Sequence, residues 1–135
     1  MKIEVSNGEI VDKLTILLIK KDNIKDSEKL KNIEKEIAEI GSISDSIVSR
    51  DSKEFIRLHN INKGLWKIED EIREKERAKQ FDDAFIQLAR SVYFTNDERA
   101  EAKRAINELS GSELFEEKSY EAYWGIHGCD NIPSL

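Results

Sequence analysis

Apolar residues along this chain recur three and four positions apart and almost never alternate, a spacing that predicts amphipathic helices from end to end. Ser6-Asn7-Gly8-Glu9 reads as a capping box, with Val5 and Ile10 spaced as a hydrophobic staple, so a first helix is expected over about 7–24. A second is expected from Ser27 to about Ile40, with Leu30, Ile33, Ile37 and Ile40 on one face and Gly41 as a left-handed exit. The serine-rich stretch Ser42 to Ser52 shows no period and reads as a loop with at most one helical turn.

The third periodic segment, about 52–79, carries Phe55, Leu58, Ile61, Leu65, Ile68 and Ile72 as one stripe. Gly64 falls on its outer face, at a helical cost of up to about 1 kcal/mol relative to Ala. A fourth helix over about 82–94 has Phe81, Phe85, Leu88, Ala89 and Val92 on one side. Thr95-Asn96-Asp97-Glu98 reads as a second capping box, opening a helix that ends near Ser110 before Gly111, with Ala102, Ala105, Ile106 and Leu109 turned inward. Ser112 to Trp124 is expected to make one more short helix, followed by a tail over about 125–135. The expectation is an all-α, compact bundle of about five helices, with a short C-terminal helix and tail, in a single domain over 1–135.

Polar residues that share the shoulder of an apolar stripe are the candidates for function. On the third helix Asn62, Trp66, Glu69 and Arg73 follow one another at i, i+4, i+7 and i+11 between the apolar and charged faces. The fourth helix has a second apolar face, Ile86 and Tyr93, with Arg90 between them, and a helix apolar on both sides is central or covered by another surface. A guanidinium in that position needs an acceptor. The first helix offers Asp12 on a second face with Ile16 and Ile19, so an Asp12 to Arg90 contact is expected. Arg99 and Lys103 lie four apart on the shoulder of the following helix. With Arg73 and Arg90 they would make a small basic pocket beside Asp12, Glu69 and Asp97, walled by Trp66 and Tyr93 and suited to an anionic metabolite or phosphate. That pocket, for binding or for metal-independent catalysis, is the alternative; the leading expectation is a helical binding or assembly module that self-associates as a homodimer covering Ile86, Arg90 and Tyr93.

Composition narrows the partners. A net charge of −6 argues against general binding to a phosphate backbone. The charged 37% of the chain mixes both signs, as solvated helix faces do. Cys129 is the only cysteine, no apolar run approaches a membrane span, and the start MKIEVSNGEI is not a secretory leader, so a cytoplasmic protein is expected. His127-Gly128-Cys129-Asp130 offers too few donors for structural zinc, and no nucleophile, phosphate-loop or dinucleotide motif is present. Neither a metal nor a cofactor is expected, and the balance leans away from an enzyme. The segments VSNGEIVDKLTILLIK, INKGLWKIEDEIREKE, FDDAFIQLARSVYFTNDERAEAK and EEKSYEAYW, which together span most of the chain, resemble a family of short uncharacterised proteins of bacteria and phages, classed as a domain of unknown function. That resemblance implies a family and carries no activity or catalytic residue with it.

Overall fold

The computed structural model describes residues 1–123. They form four helices: α1 (Asn7–Asn23), α2 (Ser27–Ile47), α3 (Lys53–Arg77) and α4 (Asp83–Ser110). Each begins on a short polar side chain that accepts a free N–H of the first turn. Ser6 Oγ accepts from Glu9, Asp26 Oδ1 from Glu28 and Lys29, Ser52 Oγ from Phe55, and Asp82 Oδ1 from Phe85. Four helices and no strand are present among the described residues.

Three boundaries differ from the sequence expectation. The second helix does not stop at Gly41 but continues to Ile47, and Gly41 is buried within it. Ile37, Ile40, Ser44, Ile47 and Val48 continue one inward stripe, with the fully buried Ser44 at a position where the period calls for an apolar side chain. A serine in a core position hid the helix. The expected break at Thr95 is also absent: α4 runs unbroken for 28 residues, so the bundle has four helices instead of five. Ser91 and Thr95 are 2% and 6% exposed, facing the core, and Ser91 satisfies its hydroxyl on the carbonyl of Gln87 at 2.8 Å. Packing along α4 overrides the capping sequence, and Asp97 sits inside the helix and not at its start.

The third difference is at the C-terminal side. Gly111 takes the left-handed conformation that ends α4, at φ 67°, but Ser112 to Tyr123 forms neither helix nor strand. Trp124, the expected tail and the motif from His127 to Asp130 lie outside the described residues. Leu109, expected in the core, is exposed. Ala102 and Ile106 are buried in the apolar centre as expected.

α1 is the central element and touches each of the other three helices, while α3 packs along α4. Val11, Leu14, Val48, Phe55, Leu58, Ala102 and Ile106 form the apolar centre. Where α1 meets α4 the backbones approach closely. A Cβ on Gly8 would lie 2.4 Å from the carbonyl oxygen of Lys103 and 3.0 Å from Asn107 Oδ1, which already accepts the Gly8 N–H at 2.6 Å. Asn7 extends the seam, its N–H donating to Ser112 Oγ at 3.1 Å and its side-chain amide to Ser110 Oγ at 3.0 Å. Gly64, by contrast, has open space where its Cβ would be.

The two glycines therefore respond oppositely to alanine. Gly8→Ala forces the helices apart and should cost about 2 kcal/mol or more in urea unfolding, whereas Gly64→Ala should be neutral or stabilise by up to about 1 kcal/mol. Equal effects at the two positions would contradict the seam.

Candidate functional site

The chemistry gathers around Asp12, which α1 carries at 1% exposure. A carboxylate there must be answered by donors from the packed elements, and α3 and α4 each supply one. From α3, Asn62 donates through Nδ2 to Asp12 Oδ1 at 2.8 Å and to Thr15 Oγ at 2.8 Å. The Thr15 hydroxyl in turn donates a hydrogen bond to the Asp12 carbonyl at 2.7 Å. From α4, Arg99 grips the carboxylate with two tines, Nε to Oδ1 at 2.9 Å and Nη2 to Oδ2 at 2.5 Å. That hydrogen bond to Asp12 outweighs the desolvation of Arg99 and raises its pKa above the ordinary value.

Beside this network lies a cleft of about 430 Å³ between α1, α3 and α4. Ile16, Ile19, Leu65 and Trp66 give it apolar walls, and Asn62, Glu69, Asp70, Arg73, Asn96 and Arg99 supply polar groups. Arg73 is exposed and hydrogen-bonded to Glu69 on its own helix. A second, more polar hollow of about 250 Å³ lies between α4 and the segment after it, lined by Glu9, Asn96, Arg99, Ala100, Lys103, Glu116 and Lys118. Asn96 and Arg99 line both.

Lys103 is nearly buried and sits between two carboxylates, with Nζ 2.7 Å from Glu9 Oε2 and 2.7 Å from Glu116 Oε2. Burial alone would lower its pKa, but the hydrogen bonds to Glu116 and Glu9 prevail and hold it above the ordinary lysine value. The same bond from Lys103 pulls the pKa of Glu116 below the usual glutamate value. Glu9, expected to close a capping box on Ser6, is turned to Lys103 instead.

Of the residues singled out in the sequence, Asn62, Trp66, Glu69, Arg73 and Arg99 share the cleft, Asp12 backs it, and Lys103 occupies the adjoining hollow. Arg90, Tyr93, Ile86 and Asp97 line neither space. The expected Asp12 to Arg90 contact is not made, because Arg99 takes that place. On a continuous helix Arg90 and Arg99, nine residues apart, point in opposite directions at about 100° per residue, so only one of them can face α1. Arg90 lies over the Phe94 ring at 5.5 Å, and Tyr93, Phe94 and Tyr123 pack ring against ring at 4.7–5.4 Å. The chain's own segment after α4 therefore covers part of that outer face.

Asn96, Thr15, Glu9 and Glu116 were missed. Asn96, Arg99 and Lys103 stand at i, i+3 and i+7, a signal visible only once the helix is read through Thr95. Glu116 has no periodic context, and nothing in the sequence marked it. Among the described residues no three His, Cys, Asp or Glu side chains converge as metal ligands, and no helix is long and apolar enough to cross a membrane.

Neither the curated proteins nor the solved structures contain a match to this chain. A family model does match, over residues 1–129: the chain belongs to DUF6165, a family of unknown function.

The Asp12–Arg99 pair makes a prediction about stability. Arg99→Met leaves the buried carboxylate with Asn62 as its remaining side-chain donor and should cost about 3 kcal/mol in urea unfolding, while Asp12→Leu combined with Arg99→Met should recover most of the loss. A double variant as unstable as the single one would mean that the network stabilises the fold by more than pairing its own charges.

Proposed function

We propose that this member of the DUF6165 family binds a small organic anion, one with a flat apolar body and an acidic head, in the cleft between α1, α3 and α4. The observation that carries the reading is the placement of Arg99. Asp12 fixes its guanidinium through two of five N–H donors, and the residue lines a cleft whose opposite character is set by Trp66, Leu65, Ile16 and Ile19. A head group gains a preorganised, charge-assisted donor there, and the body gains an aromatic wall. Arg73 adds a second cation: its exposed pair with Glu69 is worth only a few tenths of a kcal/mol, so turning to a ligand costs little. Binding without turnover is the function proposed, and a cytoplasmic setting is inferred from the single cysteine and the lack of a long apolar run.

The test uses Trp66 as reporter after Trp124→Phe, since these are the two tryptophans of the chain. Benzoate, phenylacetate and indole-3-acetate should give saturable changes in emission or in amide shifts of the cleft, and Arg73→Ala should weaken binding by about tenfold, roughly 1.4 kcal/mol. The absence of any saturable response at millimolar concentrations would remove the reading.

A second reading is self-association through the outer face of α4. In its favour, Ile86 and Phe81 are half exposed and Tyr93 is 44% exposed in spite of its contact with Tyr123. Light scattering should then return a dimer that Ile86→Asp converts to a monomer; a monomeric wild type rules this out.

A further inference from the structure

We infer that the polar hollow between α4 and the segment 112–123 is an oxyanion subsite, and that Glu116 is its resident stand-in for the acidic group of a ligand. Three observations converge. The first is Lys103, an ammonium with 10% of its side chain exposed, placed where an ordinary lysine would reach for water. It has three N–H donors and spends two of them on carboxylates of unequal standing. Glu9 is fixed by α1, whereas Glu116 belongs to a segment without helix or strand, held to α4 by side chains such as Arg104, which meets Glu117 at 3.1 Å and Phe115 at 5.4 Å. A carboxylate on such a segment can be exchanged for an external one without unmaking secondary structure.

The second observation is charge. Arg99, Lys103 and Lys118 line the hollow against Glu9 and Glu116, with Asp12 paired to Arg99 behind it, so three cations meet three carboxylates and a lining without Glu116 is left with one cation in excess. An oxyanion restores the balance that Glu116 now provides. The third is space and continuity. About 250 Å³ holds a phosphate-sized group with several waters at roughly 30 Å³ each. Asn96 and Arg99 belong to this hollow and to the Trp66 cleft alike, so one molecule can place its apolar body in the cleft and an acidic end on Lys103. The ligand class implied is a molecule with two acidic ends, the second a phosphate or a carboxylate. For the body of that ligand the inference rests on the cleft reading; the subsite itself stands on Lys103 and Glu116.

Inorganic phosphate is the probe, with acetate in parallel, followed by amide chemical shifts in the full chain. Wild type should bind phosphate weakly, because Glu116 competes within the same molecule. Glu116→Ala should bind it at least about tenfold more tightly, with shifts concentrated at Asn96, Ala100 and Lys103, and Lys103→Met in that background should abolish the gain. Equal phosphate affinity in wild type and Glu116→Ala, or shifts centred away from those residues, overturns the subsite. If Lys103→Met does not fold, the shift map of Glu116→Ala decides alone. Aromatic acids binding at Trp66 while Glu116→Ala leaves phosphate affinity unchanged would defeat the subsite and spare the cleft. A phosphate gain with no aromatic acid bound would support the subsite and defeat the cleft.

Discussion

The carboxylate of Asp12, carried on α1 where a central helix would ordinarily present leucine or isoleucine, obliges α3 and α4 to meet α1 in one register. Desolvating a carboxylate costs several kcal/mol, and the cost is offset only when donors arrive at hydrogen-bond distance with the right orientation. Asn62 and Arg99 do so from two different helices. A slide of either helix by one turn, about 5.4 Å, would separate these groups completely, whereas an apolar contact would merely repack. Buried ion pairs add little net stability over an apolar replacement, so the weight of Asp12 falls on specifying how the helices align.

From that register the rest of the α1–α4 seam follows at one-turn intervals. One turn before Asp12 on α1 is Gly8, and one turn after Arg99 on α4 is Lys103, whose carbonyl the Gly8 backbone nearly touches. Glu9 meets the Lys103 side chain, the Gly8 N–H meets Asn107, and Asn7 meets Ser110 and Ser112. Each step moves toward the start of α1 and the end of α4, as an antiparallel pair requires. Only glycine permits the approach at position 8, and that approach adds Glu9 to Glu116 as the carboxylates that hold Lys103 charged while almost out of water. The seam also ties the first residues of α1 to the exit of α4, from which the segment bearing Glu116 departs.

Much of this was legible in the chain, and the failures have specific causes. The apolar period identified α1 and α3 nearly to the residue, since enough apolar residues flank the buried Asp12, Thr15 and Asn62 to keep it readable. It failed where small polar residues occupy inward positions: Ser44 in α2, and Ser91 and Thr95 in α4, resemble loop and cap signals when only local chemistry is considered. The capping box at Thr95 is locally sound and was overruled by the length of surface α4 must cover. That single misreading moved the partner of Asp12 from Arg99 to Arg90, because the angular relation between the two arginines exists only along a continuous helix. The shoulder stripe Asn62, Trp66, Glu69 and Arg73 lies within one uninterrupted helix, and it was found intact in the cleft. Glu116 was invisible because its meaning depends on where a segment without period returns to the bundle.

The distribution of polar groups around α1 is lopsided in a way that stability does not require. On the apolar side Leu14, Leu58 and Ile106 are completely excluded from water with no polar group between them. On the other side Glu9, Arg99 and Lys103 all line one of two adjoining hollows, and Asp12 stands directly behind them. Apolar side chains replacing all of these charges together would fill the space with little loss in folding free energy, unlike the removal of one partner alone. What they would not supply is a set of charges already stripped of most of their water and fixed by partners before any ligand arrives. On the anion-binding reading proposed above, holding Arg99 and Lys103 in that condition is the costly part of recognition, and the contacts that align the helices would supply it.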